Sequence, residues 1–361
     1  MRHMKRIALL FMMSGILLTA GCSPFVDNNI VEEIAPVIFW SIRDGGEGKM
    51  KISTLVPPLI NEKKRLLTLQ VDMLKQGAKK FNLIYYRELK SAQVRLVLID
   101  EQLARKEVLS LINTLIIDPE ISPRLYVVIV KGNFNDYINS QLLKQENLDY
   151  FIYRLFKHYE TKNQGEMTII NLHQFMTKLY SPFPFPIMPV FKVNHENFTY
   201  EGSAFFGHDQ LIATVKEIDE QIFQLLNHDH YLKNFSIPAL NVTIGKVRSK
   251  IHMKLSPDRS SISIQVDLDG RMEEYRGEKN VLDRNELASL DKELEAYLEN
   301  QTKALLQKMQ QWKVDPLQLG NLTLKPFSKP ISEKEWLNDW ERMKINVDYR
   351  LHILPLTNVK E

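Results

Sequence analysis

The chain has 361 residues, 44% of them hydrophobic, with 47 Lys and Arg against 44 Asp and Glu and a single cysteine. Three of the basic residues, Arg2, Lys5 and Arg6, precede residue 7, and beyond residue 21 the chain is formally neutral. That balance removes electrostatic support for nucleic-acid binding, and the lone cysteine excludes an intramolecular disulfide and a multi-cysteine metal site.

Met1 to Arg6 is a short positive segment, and Ile7 to Ala20 is a mainly apolar stretch without charge, the n-region and h-region of an export signal. The stretch is shorter than the roughly 20 residues that span a bilayer, which disfavours an uncleaved anchor. Leu18-Thr19-Ala20-Gly21-Cys22 resembles the lipobox of bacterial lipoproteins, with Thr19 where that pattern prefers Leu or Val. The resemblance implies diacylglycerol on the Cys22 thiol and cleavage before it. Two acyl chains suffice for stable anchoring where one does not, so the expected cofactor set is none beyond that lipid. Residues 1–21 are the expected signal peptide and 22–34 a lipidated spacer.

Ala35 to Ile42 and Lys49 to Val56 read as strands joined by Asp44-Gly45-Gly46-Glu47-Gly48. Met50 follows Lys49 where a phosphate loop needs Ser or Thr, so a hairpin turn is favoured. Val71, Leu74, Ala78 and Phe81 predict a helix from Thr68, and Val94 to Ile99 a buried strand. Asp100 is placed to cap a helix reaching about Leu115, ended by Asp118-Pro119, and Leu125 to Val130 is another buried strand. Two helices, over about 149–159 and 171–179, complete an expected N-terminal α/β domain over 35–180.

Ser181 to Pro189 carries four prolines, which remove amide donors and predict a linker that neither a helix nor a central strand crosses. Strands over 190–193 and 198–206 and a helix over 210–226 then suggest a small middle domain, 181–234. In the C-terminal domain, 235–361, alternation about Ile251 to Leu255 and Ile262 to Leu268 predicts a hairpin turning at Ser256 to Ser260. Asp283 and Glu286 suggest a capping box for a helix of roughly 30 residues, stopped by Asp315-Pro316, and Ile345 to Ile353 alternate in a final strand. Gly320 is expected to permit a reversal into a strand over 322–324. The expected fold class is α+β: three mixed α/β domains in series, mixed sheets with packed helices, and a C-terminal antiparallel sheet with one long helix.

Chemistry is sparse. His228-Asp229-His230 is the densest histidine cluster, but it follows a helix end and reads as a solvated loop, so no metal is expected. Ser203 lies in Gly202-Ser203-Ala204-Phe205-Phe206-Gly207, which lacks the nucleophile-elbow spacing. Asp267, Asp269, Glu273 and Glu274 sit on the polar side of a strand and the turn after it. No catalytic residue is assigned.

Several segments carry a wider resemblance: Val94 to Ile99, Glu101-Gln102-Leu103-Ala104, Asp118-Pro119-Glu120-Ile121, Lys131-Gly132, Gly270 to Glu274, Asp315 to Gly320, Trp336 and Trp340. In their order, and with the lipobox, they resemble the C subunit of GerA-type spore germination receptors. Where that family shows Trp-Asp after the lipid cysteine, this chain has Ser23-Pro24. The resemblance implies three α/β domains in series and a non-enzymatic lipoprotein on the outer face of the spore inner membrane. It further implies assembly with A and B membrane subunits that support nutrient-triggered germination. It brings one site residue, Cys22, and leaves direct nutrient binding open. Trp336 and Trp340, four apart, share a helical face, with core packing the default. A solute-binding lipoprotein of a transporter and an envelope hydrolase stand as the other readings.

Overall fold

In the computed structural model, residues 33–57, 63–144, 147–162, 165–207, 209–227, 231–327 and 329–355 are described. The chain begins with β1 (Ile34–Pro36), β2 (Phe39–Gly46), β3 (Lys49–Val56) and β4 (Arg65–Val71), then α1 (Leu74–Ile84) and β5 (Glu88–Lys90). The β2–β3 hairpin closes as expected, with Gly46, Glu47 and Gly48 all at positive φ, a conformation cheap only for glycine. The stretch from Thr68 belongs to β4, not to a helix. Leu67, Leu69 and Val71 alternate at period two and pair antiparallel with β3, and helical spacing starts only after them.

β6 (Leu96–Asp100), α2 (Glu101–Lys106), α3 (Leu109–Ile117) and β7 (Tyr126–Lys131) follow. Asp100 caps α2 by accepting the amides of Gln102 and Leu103, but the helix breaks at Glu107 before α3 resumes. α4 (Phe134–Leu142), α5 (Leu148–Lys162) and α6 (Leu172–Leu179) come next. Asn171 and Gln174 form a reciprocal capping box at the start of α6.

β8 (Ile187–Val193), β9 (Phe198–Gly207) and β10 (Gln210–Lys216), followed by α7 (Glu217–Asn227), correct the expectation of a linker and separate middle unit. The strands form one eight-stranded sheet in the order β10-β9-β8-β7-β6-β2-β3-β4, so 187–216 extends the N-terminal sheet. Pro189 stands inside its central strand β8. The strand tolerates it because pairing with β7 begins only at Val190, so the missing amide falls where that side carries no ladder. Phe183 and Phe185 of the proline-rich stretch are fully buried.

β6 and β7 are buried along almost their whole length because both sheet faces are covered. Val97, Ile99, Val127 and Ile129 face one core with Phe81, Ile112, Leu115 and Phe175. Leu96, Leu98, Val128 and Val130 face a second with Phe134, Ile138, Ile152 and Phe156 from α4 and α5.

The remaining elements are β11 (Tyr231–Ile237), β12 (Val242–Leu255), β13 (Ser261–Tyr275), α8 (Arg284–Gln311), α9 (Glu333–Arg342) and β14 (Lys344–Leu354). They build a four-stranded sheet, β11-β12-β13-β14, antiparallel except where β14 joins β13 in parallel. α8 lays Leu290, Leu294, Leu298, Leu305 and Met309 into the core shared with this sheet. Asp283 caps α8, but Glu286 reaches back to the amide of Asn280 rather than to Asp283, so the expected box is open. No described helix is long and apolar enough to cross a membrane.

Candidate functional site

Cys22, His208 and the trio His228-Asp229-His230 lie outside the described residues. The described chain enters through β1, which pairs in parallel with β5, Ile34 opposite Glu88. His195 and Glu196 lie in the β8–β9 turn, where Gln141 Nε2 donates to the His195 carbonyl at 3.0 Å.

A cleft of about 350 Å³ lies at the carboxyl ends of β2, β6 and β7, lined by Arg43, Asp44, Lys51, Asp100, Glu101 and Asn133 among others. The chain leaves β2 toward β3 on one side and β6 toward β7 on the other, and such switch points are where open α/β sheets bind ligands. Here the polar groups are mostly spent on one another. Arg43 donates to Asn133 Oδ1 at 2.8 Å, Asp44 is paired with Lys106, and Glu101 with Arg105 at 2.8 Å. Burial raises the pKa of Asp100 against the pull of the two amides it caps.

A second cluster is sealed inside. Ser203 is wholly buried and donates to Glu220 Oε1 at 3.0 Å. Gln224 Nε2 donates to the same oxygen at 2.7 Å, Tyr200 donates to it as well, and Thr168 Oγ1 lies 2.6 Å from Ser203 Oγ. Burial pushes the Glu220 carboxyl up to about 7, against its three donors, and carries the Tyr200 phenol well above its ordinary value. Among the described residues no histidine joins the cluster, and Ser203 is fully buried, so this serine ties α7 to β9. Sequence reasoning missed Glu220 and Gln224, although two polar residues four apart amid buried Ile222, Phe223, Leu225 and Leu226 were a readable signal.

The motif residues near the C-terminus converge on Asp315, which is buried. Its Oδ1 accepts the amide of Leu319 at 2.9 Å, and its Oδ2 accepts the amide of Gly320 at 2.8 Å and the Trp336 indole at 3.0 Å. Trp340 donates to the Val314 carbonyl at 3.1 Å; both indoles are fully buried and stacked. Burial lifts Asp315 to about 6 and lowers Lys178 of α6 to about 8, each opposed by the other's charge. Phe183 packs on Trp336 with ring centroids 5.9 Å apart. The tryptophans are thus core, and the motif fastens the chain after α8 to the proline-rich stretch.

Two expectations here are corrected. α8 ends at Gln311, with Lys313 in the left-handed region, before Asp315-Pro316 is reached. Residues Leu319–Thr323 form a 3-10 helix rather than leading to a strand over 322–324. The left-handed residue of this turn is Gln318. Gly320 is needed for a different reason: a Cβ there would stand 2.7 Å from Phe183 Cγ.

Asp267 and Asp269 lie on the outer face of the C-terminal sheet, as expected. Asp267 stands in register between Lys250 and Arg350, and Asp269 between Arg248 and His352, a solvated alternation of charge. Glu273 and Glu274 are exposed further along the strand.

Two family models match this chain. One, described as "Spore germination protein N-terminal domain", covers residues 27–193; the other, "Spore germination B3/ GerAC like, C-terminal", covers 201–354. The gap between them falls in the β8–β9 hairpin, inside the eight-stranded sheet. Spore germination protein GerQC of Bacillus cereus is 18% identical over 266 residues, 72% of this chain and 73% of that protein. The crystal structure of the GerBC protein superposes with a TM-score of 0.51 at 14% identity, covering 88% of this chain and 97% of that one. At that identity the likeness establishes the fold.

Proposed function

This chain belongs to the GerAC-like spore germination protein family, a family of germinant receptor subunits and not enzymes, and on that premise we propose that it is the lipid-anchored C subunit of a nutrient germinant receptor. Diacylglycerol on Cys22 holds it to the outer face of the spore inner membrane, where it assembles with A and B membrane subunits and supports germination triggered by nutrients. The observation that carries the reading is that two germination-protein models tile residues 27–193 and 201–354. The interior agrees with a role exercised through contacts: the serine that donates to Glu220 is sealed from solvent, and in the cleft at the strand ends Asp44 and Glu101 are held in ion pairs while Arg43 is bonded to Asn133.

The test is affinity recovery of the tagged full-length chain from detergent-solubilised spore membranes, with mass spectrometry of its N-terminal peptide. Co-recovery of A- and B-type subunits and a diacylglycerol adduct on Cys22 are the expected results. A soluble chain with an unmodified thiol, or a lipidated chain recovered without those subunits, overturns the assignment.

A further inference from the structure

We propose that the corner formed by the end of α1 and the approach to β5 is a membrane-contact surface, seated on the lipid bilayer that carries the anchor. This rests on the reading that Cys22 is lipidated. Leu83 is 78% exposed, Ile84 54% and Tyr86 58%, three large apolar side chains within four residues. The helix that presents them is well fixed from behind. Phe81 and Leu74 are buried in the main core, and Gly77 lies so close to Ile52 that a Cβ would stand 2.7 Å from its side chain. Tyr85 points inward and donates to the Pro57 carbonyl at 2.8 Å. The exposure of its neighbours is therefore a property of a rigid element, not of a frayed end.

Charge and position name the occupant. Lys79 and Lys80 are exposed on α1, each four residues before an exposed apolar residue, Leu83 and Ile84 respectively, and so on the same side of the helix as it. Apolar residues flanked by lysines suit the boundary between headgroups and acyl chains, where the rings and aliphatic groups enter and the ammonium groups stay at headgroup level. The tether ends at this same corner. Ile34 pairs with Glu88, two residues from Tyr86, and residues 23–33 between Cys22 and β1 reach at most about 40 Å when extended. Three apolar side chains bind a bilayer too weakly to act alone. A short tether raises their effective concentration at the surface, so a weak contact becomes populated. The contact would fix how the body stands on the membrane, and hence which faces meet membrane-embedded partners.

The experiment uses the full lipidated chain in vesicles of phosphatidylethanolamine and phosphatidylglycerol containing a doxyl-labelled lipid as quencher. Lipidation blocks the native thiol, so an environment-sensitive fluorophore attaches only at an added cysteine, Leu83→Cys or, as a control on the exposed face of β14, Asn346→Cys. The expected result is that the label at position 83 loses most of its emission and the label at 346 does not. With the label moved to Tyr86→Cys, the changes Leu83→Asp and Ile84→Asp should abolish quenching; both positions are exposed, so folding is spared. A chain whose N-terminal peptide carries the lipid but whose label at 83 is quenched no more than at 346 overturns the surface assignment and leaves the anchor standing. A chain without the lipid overturns the anchor and this contact together. A label at 83 unquenched in vesicles but shielded once the membrane subunits are added assigns the corner to a protein partner and likewise overturns the proposal.

Discussion

The carboxylate of Glu295 accepts the backbone amide of Leu351 at 3.0 Å, from the middle of α8 to the outer edge of β14. One helical turn on, Glu299 does the same for the amide of Tyr349 at 3.3 Å. The helix thereby covers donors that an edge strand otherwise offers to another chain. Replacing both glutamates by alanine should cost about 1 kcal/mol per bond, since each carboxylate is partly exposed, and should promote self-association through β14. The Glu→Gln pair keeps an acceptor at each place and should stay monomeric. Light scattering after size exclusion reads the difference; equal masses for the two variants refute a protective role.

The same ladder has an incomplete rung. Asp291 lies one turn before Glu295, and Ile353 is the next residue of β14 with its amide facing outward, yet Asp291 Oδ1 is buried without a partner. Burial and the neighbouring Glu295 push this carboxyl up to about 6, with His352 opposing them. Asp291→Glu adds the methylene that the two bonded positions have. It should raise stability by about 0.5–1 kcal/mol, read from the midpoint of urea unfolding; an unchanged or lowered midpoint counts against the geometry.

Asp315 and Trp336 predict a coupled pair. Asp315→Ala orphans three donors and should destabilise by about 3 kcal/mol, whereas Trp336→Phe removes one donor and should cost about 1–2 kcal/mol. Because the two share a bond, the double variant should lose less than the sum, by about 0.5–3 kcal/mol. Strict additivity in denaturant melts would mean the indole bond carries no energy of its own.

What the chain disclosed before its structure depended on how local the cause was. Alternation in β12, β13 and β14, the stripe on α8 and the cap at Asp100 are set by neighbours within a few residues, and all are present. The end of β4 from Thr68 reads as helix because Val71 serves both a period-two run and the helical spacing that follows. Pro189 reads locally as a bar to a central strand because its tolerance depends on where pairing with β7 begins, a fact of register. At the C-terminal motif, Asp315 reads as a helix stop but instead anchors the turn after the helix, and Lys178 and Phe183, which give it its surroundings, stand more than 130 residues earlier in the chain.

Gly320 should resist enlargement. An added methyl would meet Phe183 Cγ at 2.7 Å and both Cδ atoms at 2.8 Å, and the ring is fixed against Trp336. Gly320→Ala is expected to cost about 1–3 kcal/mol. Phe183→Leu, which removes the obstructing ring, should recover part of that loss in the double variant even though it is destabilising by itself. A double variant no better than the additive expectation would place the strain elsewhere.

Glu220 should give the fold a measurable pH slope. Burial holds its folded-state value at about 7 against 4.5 for the free side chain, so the native state keeps a proton that the unfolded chain releases. Below about pH 4.5 both states are protonated and the group imposes no penalty. As pH rises toward 7 the unfolded state gains by ionising while the native state does not, and stability falls until both are ionised. A shift of this size corresponds to on the order of 3 kcal/mol across that window. Glu220→Gln keeps an acceptor for Tyr200 and Ser203 and cannot ionise. Asp315 and Asp291 titrate in the same range, so the quantity to follow is the difference in melting temperature between variant and wild type. That difference should move in favour of the variant from pH 5 to pH 8, and parallel melting curves across the range would show that Glu220 is not the group held neutral.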